Sequence, residues 1–157
     1  QFIKDFYIKC MTISFDGITG YYLDFDKINH RVLTLFFSKK REYITANGKY
    51  DTLCLASYGM KDVDITEDVT LAFHLYNTDR VKNSIKSKDY TKIPESILFE
   101  YAVDDAIVTF RLYQIVMKYK EIQPLVYKNY KEVMIPAINH FKHIELRGMK
   151  VDKGISI

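Results

Sequence analysis

The stretch "ITANGKYDTLCLASYG" (44–59) joins a strand-like run to a helical one through a two-residue turn. Ile44-Thr45-Ala46 is β-like, Asn47-Gly48 is turn chemistry, and the helical pattern after it is stopped by Gly59. Asp51 falls in the first turn of that helix. A carboxylate there has an ordinary use, facing the positive end of the helix dipole and its orphan N–H groups. A strand-to-helix junction is also where a fixed carboxylate can face a substrate. On local grounds both readings stand.

Upstream, "FYIKCMTISF" (6–15) and "YYLDF" (21–25) flank the turn residues "DGITG" (16–20), the pattern of a β-hairpin. Residues 26–40 place Ile28, Val32, Leu35 and Phe36 at helical spacing, and 41–46 return to strand. Downstream, a helix is expected from about Glu67, with Thr66 as its N-cap and Asp68 in its first turn. Residues 78–92 are polar and lysine-rich, a loop. Pro94 opens a long helix from about Glu95 to Lys120. A last helix runs from about Leu125 to Leu146. Its apolar stripe is Val133, Ala137, Phe141 and Ile144, Pro136 kinks it, and Gly148 ends it. "MKVD" (149–152) starts a short extended segment. The order β-β-α-β-α-α-α-α predicts an α/β (α+β) fold, a mixed sheet covered by helices.

With 157 residues, 48% of them hydrophobic, the chain can bury a sizeable core and is no disordered tail. The net charge of +3, with Lys and Asp interspersed, permits a nucleic-acid partner without arguing for one. The cysteines, Cys10 and Cys54, are far apart, which speaks against zinc and for a reducing compartment. No long apolar run is present, so no membrane span is expected. There is no nucleophile elbow and no Gly-rich phosphate loop.

Carboxylates are the chemistry that remains. In "EYAVDDA" (100–106), Tyr101 and Asp105 are four apart and share a helix face. They could hold a water or a metal between them, or form a plain surface hydrogen bond. Asp104 points away, toward solvent. Asp24 and Asp26 in "LDFDKIN" share a strand face, but Asp26 serves equally as the N-cap of the next helix, the preferred reading. His140 and His143 are three apart without a third ligand and read as ordinary helix residues.

Three pieces together resemble the 3′–5′ exonuclease region of family A DNA polymerases, the bacterial polymerase I type. "NGKYD" resembles the second exonuclease motif of the DEDD enzymes, with Asn47 and Asp51 four apart after a strand. "YAVDD" resembles the third motif of the tyrosine subclass, with Tyr101 and Asp105 in its Tyr-x-x-x-Asp positions. "MIPAINHFKHIELRGMKVD" (134–152) resembles the segment leading into the polymerase domain, through Pro136, Glu145, Gly148, Val151 and Asp152. Lys49, Tyr50, Tyr58, Gly59 and Asp68 extend the likeness.

The resemblance implies a ribonuclease H-like exonuclease fold over 1–122, incomplete at the N-terminus, with a linking helix and the start of a polymerase domain over 123–157. It implies hydrolysis of phosphodiesters at a DNA 3′ end by two divalent ions, Mg²⁺ or else Mn²⁺, which prefer oxygen ligands. Asp51 and Asp105 would be metal ligands and Tyr101 would orient the attacking water. Asn47 and Tyr50 would contact single-stranded DNA, the partner being a frayed primer-template. The setting would be the cytoplasm of a bacterial or phage-infected cell, or an organelle.

The family's first motif, Asp-x-Glu, is missing, and Asp24-Phe25-Asp26 is a poor substitute because it comes after the hairpin. The chain is therefore expected to start just downstream of that motif and to be inactive alone. The interval from Asn77 to Tyr101 is short for the family, and polymerase palm and finger motifs would lie beyond residue 157. Two other readings remain: a stand-alone ribonuclease D-type exonuclease acting on RNA, and a non-catalytic exonuclease-like scaffold.

Overall fold

The computed structural model describes residues 7–76 and 94–148. The expected loop at 78–92 and the extended segment at 149–152 lie outside those residues.

The hairpin forms as the turn residues predict. Strands β1 (Cys10–Ser14) and β2 (Gly20–Asp24) pair antiparallel, with Thr12 opposite Tyr22. Asp16 nucleates the turn by accepting the N–H groups of Ile18 and Thr19 at 2.8 and 2.7 Å. Helix α1 (His30–Phe37) comes next, β3 (Ile44–Thr45) leads into α2 (Gly48–Ser57), and β4 (Glu67–Asp68) leads into α3 (Val69–Tyr76). The 28-residue α4 (Glu95–Ile122) begins after Pro94. After Gln123, α5 (Pro124–Asn129), a π-helical turn (Tyr130–Met134) and α6 (Ile135–Arg147) run on as one rod.

The architecture is mixed α/β, but the strands do not merge into the expected single mixed sheet. Among the described residues they form two separate two-stranded pairs, β1-β2 and a parallel β3-β4 in which Ile44 faces Glu67 and Thr45 faces Asp68. Residues 67–68 are thus strand, not the opening of a helix. They pair with the neighbouring strand, and the helix waits until Val69.

Two helix faces also differ from the sequence expectation. On α1 the buried residue is Leu33, while Val32 and Leu35 are exposed. Its cap is Asn29, whose side chain accepts the N–H of Arg31, and not Asp26, which accepts the Tyr7 hydroxyl instead. Along the rod, Val133, Phe141 and Ile144 face solvent, and the buried residues are Tyr130, Ile135 and Lys142. The π-helical turn explains the change. Its Ile135 N–H bonds back five residues to Tyr130, which inserts one residue into the 3.6-residue repeat and rotates the downstream helix by roughly 100°. Pro136, which has no N–H to give, sits where this register changes.

Two apolar clusters hold the elements together. One joins Phe25, Leu33, Leu55, Met60 and Val63, and the other joins Ile65, Ala72, Val116, Tyr130 and Ile135. Each large aliphatic or aromatic side chain contributes about 1.5–3 kcal/mol when fully buried. Helix α4 lies on the hairpin so closely that a Cβ on Gly20 would collide with Val103. That contact fixes the turn of α4 carrying Tyr101 and Asp105.

Candidate functional site

The junction at 44–51 is built from the backbone outward. Asn47 adopts the left-handed conformation, φ 67°, which Asn tolerates better than most residues. Gly48 is buried, and a Cβ there would collide with Thr45 and approach Ile65 to 2.7 Å, so the tight entry into α2 demands glycine. Two backbone N–H groups at this entry point to a single carboxylate. Asp68 accepts Gly48 N–H at 2.8 Å and Asn47 N–H at 3.3 Å. It also accepts the N–H of Leu71 at 3.0 Å, the geometry of an N-cap for α3. The capping role expected of Thr66 therefore belongs to Asp68; the Thr66 hydroxyl instead exchanges hydrogen bonds with the Tyr43 backbone.

Asp68 is 1% exposed, and the elements around it are tied down from the rod. The Tyr130 hydroxyl, itself fully buried, accepts the Asp68 N–H at 2.6 Å and donates to the Asp68 carbonyl at 3.3 Å. Burial drives the Tyr130 hydroxyl far above its ordinary pKa, so it stays protonated. Beside it, the carboxylate of Glu67 pairs with Lys131 at 2.7 Å and accepts a hydrogen bond from Tyr127. Farther along the rod, Lys142 is 1% exposed; it meets Asp64 at 2.5 Å and donates to the carbonyls of Lys61 and Val63. Lys49, in the first turn of α2, meets Glu145 of α6 at 2.5 Å.

The structure places Asp105 near enough for its charge to act on Asp51, though less than the charge of Asp68 does. The crowding of protein around Asp51 raises its pKa to about 6, and the charges of Asp68 and then Asp105 add to the rise. Burial raises Asp105 as well. Both residues nevertheless remain open to solvent, as do Tyr101 and Asn47, and Tyr50 is 54% exposed. Among the described residues no lysine, arginine or histidine forms an ion pair with Asp51 or Asp105. Among the described residues these are accessible like charges without a paired counter-ion. Such a field attracts cations, and hard oxygen donors suit Mg²⁺ or Mn²⁺.

Asp68 does not fit as a further ligand, because both of its oxygens are engaged by backbone N–H groups. Among the described residues, no three His, Cys, Asp or Glu side chains converge into a metal-holding group. Asp24 is likewise occupied, by Lys27 at 2.6 Å and by the N–H of Asp26. His140 and His143 are exposed on α6, and Cys10 and Cys54 are free thiols. Among the described residues no helix is long and apolar enough to cross a membrane.

Sequence reasoning missed the roles of Asp68, Tyr130, Glu67, Lys131 and Lys142. The three rod residues carry no local signal, since a Tyr and two Lys on a helix read as ordinary surface positions. Asp68 had a signal, an acid just before an apolar run, but nothing in the sequence pointed it at Gly48. Comparison of the chain with known protein families, curated proteins and solved structures found no match.

Proposed function

We propose that the chain is the 3′–5′ exonuclease part of a family A DNA polymerase, with a ribonuclease H-like fold, acting on the single-stranded 3′ end of DNA. The observation that supports this reading most is the pairing of Asp51 with Asp105. Two exposed carboxylates from separate motifs, 54 positions apart in the chain, lie near enough for the charge of Asp105 to raise Asp51, and among the described residues no lysine or arginine is paired to either.

When bound, divalent ions would neutralise this pair and supply an acidified water and a clamp on the leaving oxygen. Asp51 and Asp105 hold oxygen donors in place from two helices. Tyr101, one turn before Asp105 on α4, orients a water. Asn47 and Tyr50 flank Asp51, where Tyr50 offers an exposed ring for a base to stack on, a contact tolerant of sequence.

The test is degradation of single-stranded DNA by the full-length protein with Mg²⁺. Asp51→Ala or Asp105→Ala should lower the rate about 100-fold or more. Wild-type nuclease activity in either variant would sink the assignment. A second reading, a non-catalytic scaffold, is favoured by the lack of a third converging ligand among the described residues. It predicts no Mg²⁺-dependent nuclease in the wild-type protein either.

A further inference from the structure

We infer that Asp68 is the positioning residue for Asp51, and that Tyr130 in the π-helical turn holds Asp68, so that the rod beginning at Pro124 reaches the candidate site. This rests on the exonuclease reading for its consequence, but its geometry stands independently.

A cap on α3 needs one carboxylate oxygen, and Leu71 N–H uses Oδ1. The other oxygen, Oδ2, leaves its own helix and accepts the N–H of Gly48, the first residue of α2. Oδ1 also takes the N–H of Asn47. One buried carboxylate therefore clamps two helix starts. Asp51 lies within the first turn of the clamped helix, so a displacement of Gly48 carries Asp51 with it. The left-handed backbone at Asn47 and the lack of room for a Cβ at Gly48 leave the junction little freedom to absorb such a displacement.

The clamp is itself held at its backbone. Tyr130 binds both the N–H and the carbonyl of Asp68 through one hydroxyl. Tyr130 opens the π-helical turn, a geometry that recurs where helices serve a function. A straight α-helix would rotate this ring or the segment after it. The chain of contacts thus runs from the rod through Tyr130 and Asp68 to Gly48 and Asp51. A second tie, Lys49 to Glu145, joins the same two bodies at the surface.

Tyr130→Phe removes one oxygen and keeps the ring, and Asp68→Asn turns one acceptor into a donor facing an N–H group. In the full-length protein, two quantities are read: kcat and KM on single-stranded DNA with Mg²⁺, and amide hydrogen exchange at Gly48. Tyr130→Phe should lower kcat about tenfold, and Asp68→Asn by up to about 100-fold, with KM unchanged. Exchange at Gly48 should accelerate in both, while exchange at Ile13, in the β1-β2 hairpin, should not. Accelerated Gly48 exchange with unchanged kcat would overturn the positioning role. Unchanged Gly48 exchange in Tyr130→Phe would overturn the link to the rod. Asp51→Ala, run alongside, separates the two levels: wild-type activity there defeats the exonuclease reading, and Gly48 exchange still decides the clamp.

Discussion

Carboxylates live in two kinds of place in this molecule. Glu67 and Asp64 meet lysines from the rod, Lys131 at 2.7 Å and Lys142 at 2.5 Å. Asp51 instead feels the charges of Asp68 and Asp105, and among the described residues no cation is paired to Asp51 or Asp105. The first kind joins elements of the fold. The second works against folding, since like charges in crowded surroundings raise the free energy of the native state. An acid that serves structure is compensated from within the chain; an acid open to solvent, with no cation paired to it among the described residues, suits a ligand from outside.

That contrast can be broken or sharpened by substitution. The largest effect is expected at Lys131. Lys131→Ala leaves the buried Glu67 carboxylate without its cation and should cost about 3 kcal/mol in a denaturant melt. The double change Glu67→Gln with Lys131→Met should recover most of that loss. If it costs as much as the single change, the pair's value lies in its shape and not in its charge.

Lys142→Met keeps the buried stem but removes the charge and its hydrogen bonds to three acceptors, and should cost about 2 kcal/mol. Because Asp64 is half exposed while Lys142 is not, Asp64→Asn should cost clearly less. Equal losses would show that the ion pair, and not the two carbonyl contacts, holds α6 to the loop before β4.

The smallest effect has the opposite sign. Asp51 has a folded pKa of about 6, above its value in an unfolded chain. A raised carboxyl pKa means the folded protein holds the proton more tightly. Its contribution therefore favours folding at low pH and is lost as pH rises through about 6. Asp51→Asn should accordingly stabilise the protein slightly at pH 7, with the gain fading as pH falls toward 4. A variant less stable than wild type at pH 7 would mean that Asp51 is compensated after all.

The parts of the fold legible in the sequence are those decided locally. Asp16-Gly17 between β-rich runs marks the hairpin, and Asn47-Gly48 marks the α2 entry, because turn chemistry acts over two to four residues. The buried faces of α1 and the rod are not legible in the same way. Apolar spacing singles out Val32, Leu35, Val133, Phe141 and Ile144, yet packing chose Leu33, Tyr130, Ile135 and Lys142. A π-helical turn and a buried lysine both defeat a stripe drawn at constant period. Within the candidate site, Asp51, Tyr101 and Asp105 stand out through the spacing of the motifs they resemble. The clamp formed by Asp68 and Tyr130 does not, since its hydrogen bonds span 20 and 62 positions.

On the proposed function, Asp51 and Asp105, unpaired with any cation among the described residues, take a divalent cation. A carbon-detected NMR titration of the Asp51 carboxyl in the full-length protein, with and without Mg²⁺, tests it most directly. The expected result is a midpoint of about 6 without the ion and a marked fall when Mg²⁺ is added. A midpoint in the ordinary carboxylate range, near about 4, that Mg²⁺ leaves unmoved would contradict it.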